Sequence, residues 1–232
     1  MSERENILEL KNVVYSFHTY GGEVKAVRDV SYEVRQGEIL GIVGESGCGK
    51  SVTAQCILRL NPEPPGFFEG GEILYKGQDV LKMSKKEIRK IRGREIGFVF
   101  QDPMTSLNPT MRVGAQIEEV FLGRTDVSKK EVKERAMDIM RLVGISDVEK
   151  RYKQYPHELS GGMKQRVMIA IALVSRPSVI ICDEPTTSLD VTIEAQILDL
   201  LLELREKLGT SIIMITHDLG VISRLCDRVV VM

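Results

Sequence analysis

Gly44-Glu45-Ser46-Gly47-Cys48-Gly49-Lys50-Ser51 fits the pattern G-x-x-x-x-G-K-[ST] at every fixed position. The flanks suit it as well. Gly41-Ile42-Val43 closes an apolar strand that begins near Glu38, and Val52 to Leu60 reads as the helix that follows. Gly44, Gly47 and Gly49 allow the backbone to wrap closely and to aim its N–H groups inward at phosphate oxygens. The N-terminus of the next helix adds donors and a dipole that favours an anion. In this pattern Lys50 is the point charge for β- and γ-phosphates, and the Ser51 hydroxyl is a Mg²⁺ ligand. The competing reading is a Gly-rich turn with an incidental lysine, and the strand and helix on either side weigh against it.

Two further strand ends carry polar groups. Ser178 to Cys182 is a short apolar run ending in Asp183-Glu184, and Thr210 to Thr216 is another ending in His217-Asp218. Ligands of parallel α/β sheets bind beyond the carboxyl ends of the strands. Asp183 is thus placed to hold Mg²⁺, directly or through water, and Glu184 to polarise an attacking water. The alternative for the acidic pair is a helix-entry cap. For His217 it is a capping or structural role, against contact with a γ-phosphate. Ile96 to Phe100 is a further strand, and it ends at Gln101. On position alone Gln101 reads as a loop glutamine bonded to backbone.

The remaining stretches set the organisation. Ile7 to Phe17 and Val24 to Val34 are β-branched, aromatic and alternating, and read as strands joined by a turn at Gly21-Gly22. Phe17 and Tyr20 suit either sheet packing or stacking on a purine. Asn61 to Gly71, dense in Pro and Gly, reads as loop, with a short strand at Glu72 to Tyr75. Ser84 opens a charged helix with Glu87 at capping-box spacing. From about Thr105 to Pro156 the apolar spacing turns helical, as in Val113, Ile117, Val120 and Phe121, then Val132, Ala136, Ile139, Met140 and Val143. This is expected to be an inserted helical subdomain, with Lys129 to Arg135 on its solvated face. Leu159-Ser160-Gly161-Gly162-Met163-Lys164-Gln165-Arg166 leads into the apolar helix Val167 to Val174. Ser-Gly-Gly before a buried helix is either a second anion cradle or an N-cap serine after a flexible turn. Ser188-Leu189-Asp190 opens a long amphipathic helix whose inner face carries Ile193, Ile197, Leu200, Leu201, Leu204 and Leu208.

Composition narrows the class. With 232 residues the chain suits one large domain or a core with an inserted subdomain. A formal net charge of −1 supplies no basic field for nucleic acid or an acidic membrane surface. The longest apolar run, Val167 to Val174, is far short of the roughly 20 residues that span a bilayer. Cys48, Cys56, Cys182 and Cys226 are scattered without a C-x-x-C pair and read as free thiols of a reducing compartment. The first residues lack the basic and apolar regions of a secretory signal. A cytoplasmic protein is the expectation. Val229 to Met232 begins a strand and stops, so a C-terminal part is expected beyond it.

In order along the chain stand the phosphate loop, Gln101, Leu159-Ser160-Gly161-Gly162, Asp183-Glu184, Ser188-Leu189-Asp190 and His217. Together they resemble the nucleotide-binding domain of ABC transporters, over essentially the whole chain. The resemblance implies an α/β fold: a phosphate-loop, RecA-like core of mostly parallel sheet, an N-terminal antiparallel β subdomain and an inserted all-helical subdomain. The core would be residues 1–104 and 157–232, and the insertion about 105–156. It also implies ATP and Mg²⁺ as cofactors, and a head-to-tail dimer with a homologous or identical ATPase subunit. Each phosphate loop, with Gly44, Glu45, Ser46, Gly47, Cys48, Gly49, Lys50, Ser51 and Val52 at the nucleotide, would face Ser160, Gly161, Gly162 and Met163 of the opposite subunit. Asp190 would bind the nucleotide as well. Gln101 would contact Mg²⁺ and the attacking water, and Asp183 and Ser51 the metal. Glu184 resembles the catalytic base, His217 the switch histidine, and Phe17 the adenine-stacking aromatic.

Three stretches narrow the likeness: the phosphate loop through Val52-Thr53, Gln101 to Pro109, and Tyr155 to Met163. They look like the dipeptide/oligopeptide/nickel importer branch, and most like its D-type ATPase subunit. Two membrane permeases and, indirectly, an extracellular binding protein would be the partners, at the cytoplasmic face of the membrane. Peptide uptake is the expected function, with nickel import as the alternative. Met163 replaces the usual signature glutamine, Val52 a common threonine and Cys48 a commoner serine; the thiol leaves the N–H cradle intact and is expected to make the site sensitive to alkylation. A non-transport ABC ATPase of DNA repair or chromosome structure is a rival. It would carry long coiled-coil or zinc-binding insertions, and neither sustained heptads nor paired cysteines occur here. A tandem, ribosome-associated protein would repeat each motif, and each occurs once.

Overall fold

A computed structural model describes residues 5–122, 127–187 and 189–232. The chain divides into two compact units, Met1–Arg92 with Gly209–Met232, and Gly93–Leu208.

The first unit opens with an antiparallel sheet. Strands β1 (Asn6–Thr19) and β2 (Gly22–Arg35) form a hairpin, and β1 also pairs with β4 (Gly66–Tyr75), which pairs with β5 (Gln78–Asp79). Leu8 and Leu10 of β1 are buried, and a register shift between Leu10 and Val13 reverses the alternation, so Val13 and Tyr15 are buried in turn. Here the structure corrects the expectation for Asn61 to Gly71. Loop holds only to Pro65, because Gly66 to Gly70 pairs with Phe17 back to Val14. Phe67 stacks on His18 at 4.2 Å, and Phe68 meets the edge of Tyr15 at 4.7 Å. Two aromatic anchors hold as strand a segment whose Pro and Gly content reads as loop.

The same unit contains three parallel strands, β3 (Ile39–Val43) between β8 (Ser211–Ile215) and β9 (Arg228–Val231). Every residue of β3 and β8 is buried. That explains their unbroken apolar sequence, since a parallel strand is covered on both faces. Helix α1 (Lys50–Ile57) follows β3, and α9 (Leu219–Leu225) joins β8 to β9. At Gly41 a Cβ would stand 2.6 Å from the Ile222 Cδ1, so glycine lets α9 lie close on β3. Helix α2 (Lys85–Ile91) starts with the expected capping box: Ser84 Oγ accepts from the Glu87 N–H, and Glu87 Oε2 accepts from the Ser84 N–H.

In the second unit β6 (Ile96–Val99) and β7 (Val179–Asp183) form a parallel pair. Between them in sequence come α3 (Pro103–Ser106), α4 (Val113–Glu119), α5 (Lys129–Leu142) and α6 (Val148–Arg151), with no strand among the described residues there. Helix α7 (Gly161–Leu173) packs on β6. A Cβ on Gly97 would come within 2.4 Å of the Ala172 carbonyl oxygen, which is the closeness this glycine permits. Helix α7 starts six residues before the apolar run that announced it, because Ser160 caps it and the polar Lys164 and Gln165 lie on its buried side. Helix α8 (Val191–Leu208) buries Ile197, Leu198, Leu200, Leu201 and Leu204. No described helix is long and apolar enough to cross a membrane.

Candidate functional site

In the first unit, parallel pairing puts the carboxyl ends of β3 and β8 side by side, with the Thr216 N–H donating to the Ile42 carbonyl at 3.2 Å. The loop 44–51 therefore leaves the same edge of the sheet as His217, which is exposed. Asp218 caps α9 through the Gly220 N–H at 2.6 Å, and that turns the chain immediately after the histidine.

The loop itself has the geometry of a cradle. Gly47 and Gly49 hold φ of +84° and +101°. A Cβ on Gly49 would lie 2.3 Å from the Ala26 carbonyl oxygen of β2, and one on Gly44 would lie 2.8 Å from Cys48 Sγ. Glycine at these points leaves room that any side chain would fill. The Lys50 side chain is buried, and its Nζ donates to the carbonyls of Gly44 at 2.8 Å and Glu45 at 2.9 Å. The ammonium thus closes the loop on itself and stands inside it as a fixed charge. Gly49, the N-cap of α1, has no side chain to satisfy the helix's first N–H groups. Those donors, the dipole and Lys50 make a site for a polyanion. A phosphate chain fits the residues present. Glu45, Ser46 and Gly47 are exposed, while Ser51 and Val52 are half-buried. Cys48 Sγ lies 3.8 Å from Lys50 Nζ.

Phe17 is half-buried and meets Tyr15 edge-on at 5.3 Å, so one part of the ring packs and the rest is open. Tyr20 is fully exposed at the hairpin turn.

In the second unit, β6 and β7 end together, and the groups after them touch. Gln101 Nε2 donates to Glu184 Oε2 at 2.8 Å, across 83 positions of sequence. The reading of Gln101 as a loop amide bonded to backbone gives way to this contact. Asp183, the last residue of β7, is buried, and Glu184 is half-buried. Glu184 adopts φ +45°, a left-handed conformation that costs a non-glycine residue about 1–2 kcal/mol. Thr187 makes a second contact: its Oγ1 donates to the same Glu184 Oε2 at 2.9 Å. Sequence reading did not single out Thr187; the available signal was a hydroxyl three residues after a strand-end carboxylate. Ser188 lies outside the described residues. Asp190 is exposed, and its Oδ1 accepts from the Ile193 N–H at 2.9 Å at the start of α8.

Ser160, Gly161, Gly162 and Met163 form the entry to α7 in this unit. Ser160 Oγ accepts from the Met163 N–H at 3.4 Å, as an N-cap does. Ser160 and Gly161 are exposed, and Gly162 and Met163 half-buried. A Cβ on Gly162 would stand 2.7 Å from Ile193 Cγ2, so this glycine fits the turn against α8. The N-cap reading of Ser160 is met, and Gly161 is exposed.

Burial, the largest influence, pushes the thiols of Cys56 and Cys182 up to about 12, and Cys226 likewise. All four cysteines are free thiols.

Comparison with known proteins places the chain. The ABC transporter family pattern matches residues 27–187. An oligopeptide transport ATP-binding protein, OppD, of Bacillus subtilis strain 168 is 58% identical over 226 residues, which are 97% of this chain and 63% of that protein. The chain therefore spans a little under two thirds of that relative's length. The dipeptide transport ATP-binding protein DppD of the same organism is 52% identical over 98% of the chain and 68% of its own length. Among solved structures, the dimeric post-hydrolysis state of the ATP-binding cassette MJ0796, bound to ADP and Pi, superposes with a TM-score of 0.84. It is 30% identical and covers 97% of this chain, which covers 94% of that one. With the family pattern spanning most of the sequence and close relatives spanning nearly all of it, the chain belongs to the ABC transporter family.

Proposed function

We propose that the chain is the ATP-hydrolysing part of an ABC importer subunit that energises peptide uptake, converting ATP and water to ADP and phosphate. The observation that carries the reading is the Gln101–Glu184 hydrogen bond. It gives the strand-end carboxylate a defined orientation, which a base acting on water requires. The names of the two B. subtilis relatives support peptide as cargo over nickel.

In this reading the N–H groups of Gly44 to Ser51 and the Lys50 ammonium take the phosphates, with Val52 beside them, and Phe17 stacks on adenine. Ser51, Gln101 and Asp183 offer hydroxyl, amide and carboxylate oxygens, the hard donors Mg²⁺ takes, and the ion when bound neutralises charge on the β- and γ-oxygens. Glu184 accepts the proton of the attacking water, and His217 contacts the γ-phosphate. Ser160, Gly161, Gly162 and Met163, with Asp190, serve the nucleotide of a second ATPase subunit in a head-to-tail dimer. Residues 105–156 act as a helical subdomain inserted in a core of 1–104 and 157–232, and transmit the Gln101 state to two membrane permeases. An extracellular binding protein supplies cargo indirectly, and the subunit sits peripherally at the cytoplasmic face.

The test is the full-length protein reconstituted with its permeases and binding protein in vesicles. Peptide added on the binding-protein side is expected to raise ATP hydrolysis. Stimulation by Ni²⁺ with none by peptides would overturn the cargo assignment.

A further inference from the structure

Glu184 Oε2 receives two donors of different kinds. Gln101 Nε2, at 2.8 Å, comes from the end of a neighbouring strand on a long, flexible side chain. Thr187 Oγ1, at 2.9 Å, comes from three residues on in the same turn. That turn is braced at both ends. The Thr187 N–H donates to the Glu184 carbonyl at 3.2 Å, and Thr186 Oγ1 donates to Glu194 Oε1 at 2.7 Å, tying the segment to α8. Threonine is β-branched and restricted at χ1, so with its backbone fixed its hydroxyl has few directions to take. Gln101 has a second duty in the function proposed above, at Mg²⁺ and the attacking water. Its amide oxygen can serve the metal while Nε2 donates to Glu184, so the Gln101 contact follows the metal and water, whereas the Thr187 contact arises within the Glu184 turn itself.

We infer that Thr187 is a positioning residue, whose hydroxyl fixes the Glu184 carboxylate in its reactive orientation independently of Gln101. The inference rests on the reading of Glu184 as the base. The chemistry stays at Glu184; Thr187 acts by removing the carboxylate's alternative rotamers, and misplacement of a catalytic group by about 1 Å can cost on the order of a hundredfold in rate.

The experiment is steady-state ATP hydrolysis by the full-length protein in its assembled transporter, with Thr187→Val, Thr187→Ser and Glu184→Gln measured together. Thr187→Val keeps the shape and deletes the donor. It is expected to lower kcat about tenfold or more with the KM for ATP unchanged, and Thr187→Ser, which restores the hydroxyl, is expected to recover most of the rate. A Thr187→Val protein at the parent kcat, or a Thr187→Ser protein as slow as Thr187→Val, overturns the inference. Should Thr187→Val lower the melting temperature, Thr187→Ala carries the same comparison without a new methyl contact. Glu184→Gln separates the two levels. If it is inactive while Thr187→Val is normal, only the positioning role fails. If it turns over normally, the base assignment fails, and the positioning role with it.

Discussion

Replacing Gly49 by alanine tests the cradle directly, because two independent costs meet at that residue. Its φ of +101° is outside the range an L side chain adopts readily, which costs about 1–2 kcal/mol. The new Cβ would lie 2.3 Å from the Ala26 carbonyl oxygen. That neighbour is backbone of β2 and cannot rotate away, so the strand or the loop must shift, an overpacking cost of about 1–3 kcal/mol. The expected loss is their sum, about 2–5 kcal/mol, or a melting temperature lower by at least about 4 °C for a chain of this size. Gly47→Ala is the control. Its φ is +84°, but nothing lies within 4 Å of the added Cβ, so only the strain of about 1–2 kcal/mol applies. Urea denaturation of the parent and both variants gives the difference, and a fluorescent nucleotide titration shows whether the displaced loop still binds. The Gly49 carbonyl also starts α1, accepting from the Thr53 N–H at 2.8 Å and its Oγ1 at 2.9 Å, so the shift is expected to weaken nucleotide binding as well. Equal losses in the two variants, or a Gly49→Ala protein within ~0.5 kcal/mol of the parent, would refute the argument from close approach.

Four further outcomes are expected. Among the four cysteines a small alkylating reagent should modify Cys48 first, since it is half-buried in an open loop while burial holds Cys56, Cys182 and Cys226 as thiols up to about pH 12; mass mapping in which Cys182 reacts first would contradict this. Bulky reagents at Cys48 should slow ATP hydrolysis. Stability should also fall above pH 9. The folded thiols of Cys56 and Cys182 titrate near 12 against an ordinary 9.0, so the unfolded chain loses these protons first and is stabilised relative to the folded one by up to roughly 1.4 kcal/mol per pH unit for each. Denaturation curves at pH 8 and 10 should show a smaller alkaline loss in a Cys56→Ala, Cys182→Ala protein than in the parent, and an equal loss would remove the thiols as the cause. Finally, specific ATPase activity should rise with protein concentration if two subunits complete each site; a flat dependence would say that one chain suffices.

How much of this was legible in sequence depends on the range of the interactions. The phosphate loop is local: glycines, lysine and the following helix lie within a dozen residues, and the backbone angles at Gly47 and Gly49 are what such spacing demands. The strands β3, β7 and β8 were legible because burial on both faces leaves an uninterrupted apolar run. Gly66 to Gly70 was not, because its strand conformation comes from pairing with β1 some fifty positions away, against a composition that signals loop. The start of α7 was hidden for a related reason: Lys164 and Gln165 look like surface residues, and only packing shows them buried. Gln101 alone read as an ordinary loop amide, and its partner Glu184 is supplied by the parallel pairing of β6 with β7. Thr187 carried a faint local signal, a hydroxyl in a turn, whose importance depends on a left-handed Glu184 that spacing does not announce.

The central proposal is that Glu184 activates the water that attacks ATP. Its most direct test is a paired measurement of ATP binding and ATP turnover in Glu184→Gln and the parent. The amide keeps the size of the carboxylate and removes its basicity. The account predicts ATP affinity close to the parent and turnover lower by about 10²–10⁴-fold, the range general base catalysis supplies. Turnover near that of the parent, with binding intact, would contradict it and move the catalytic role to another residue.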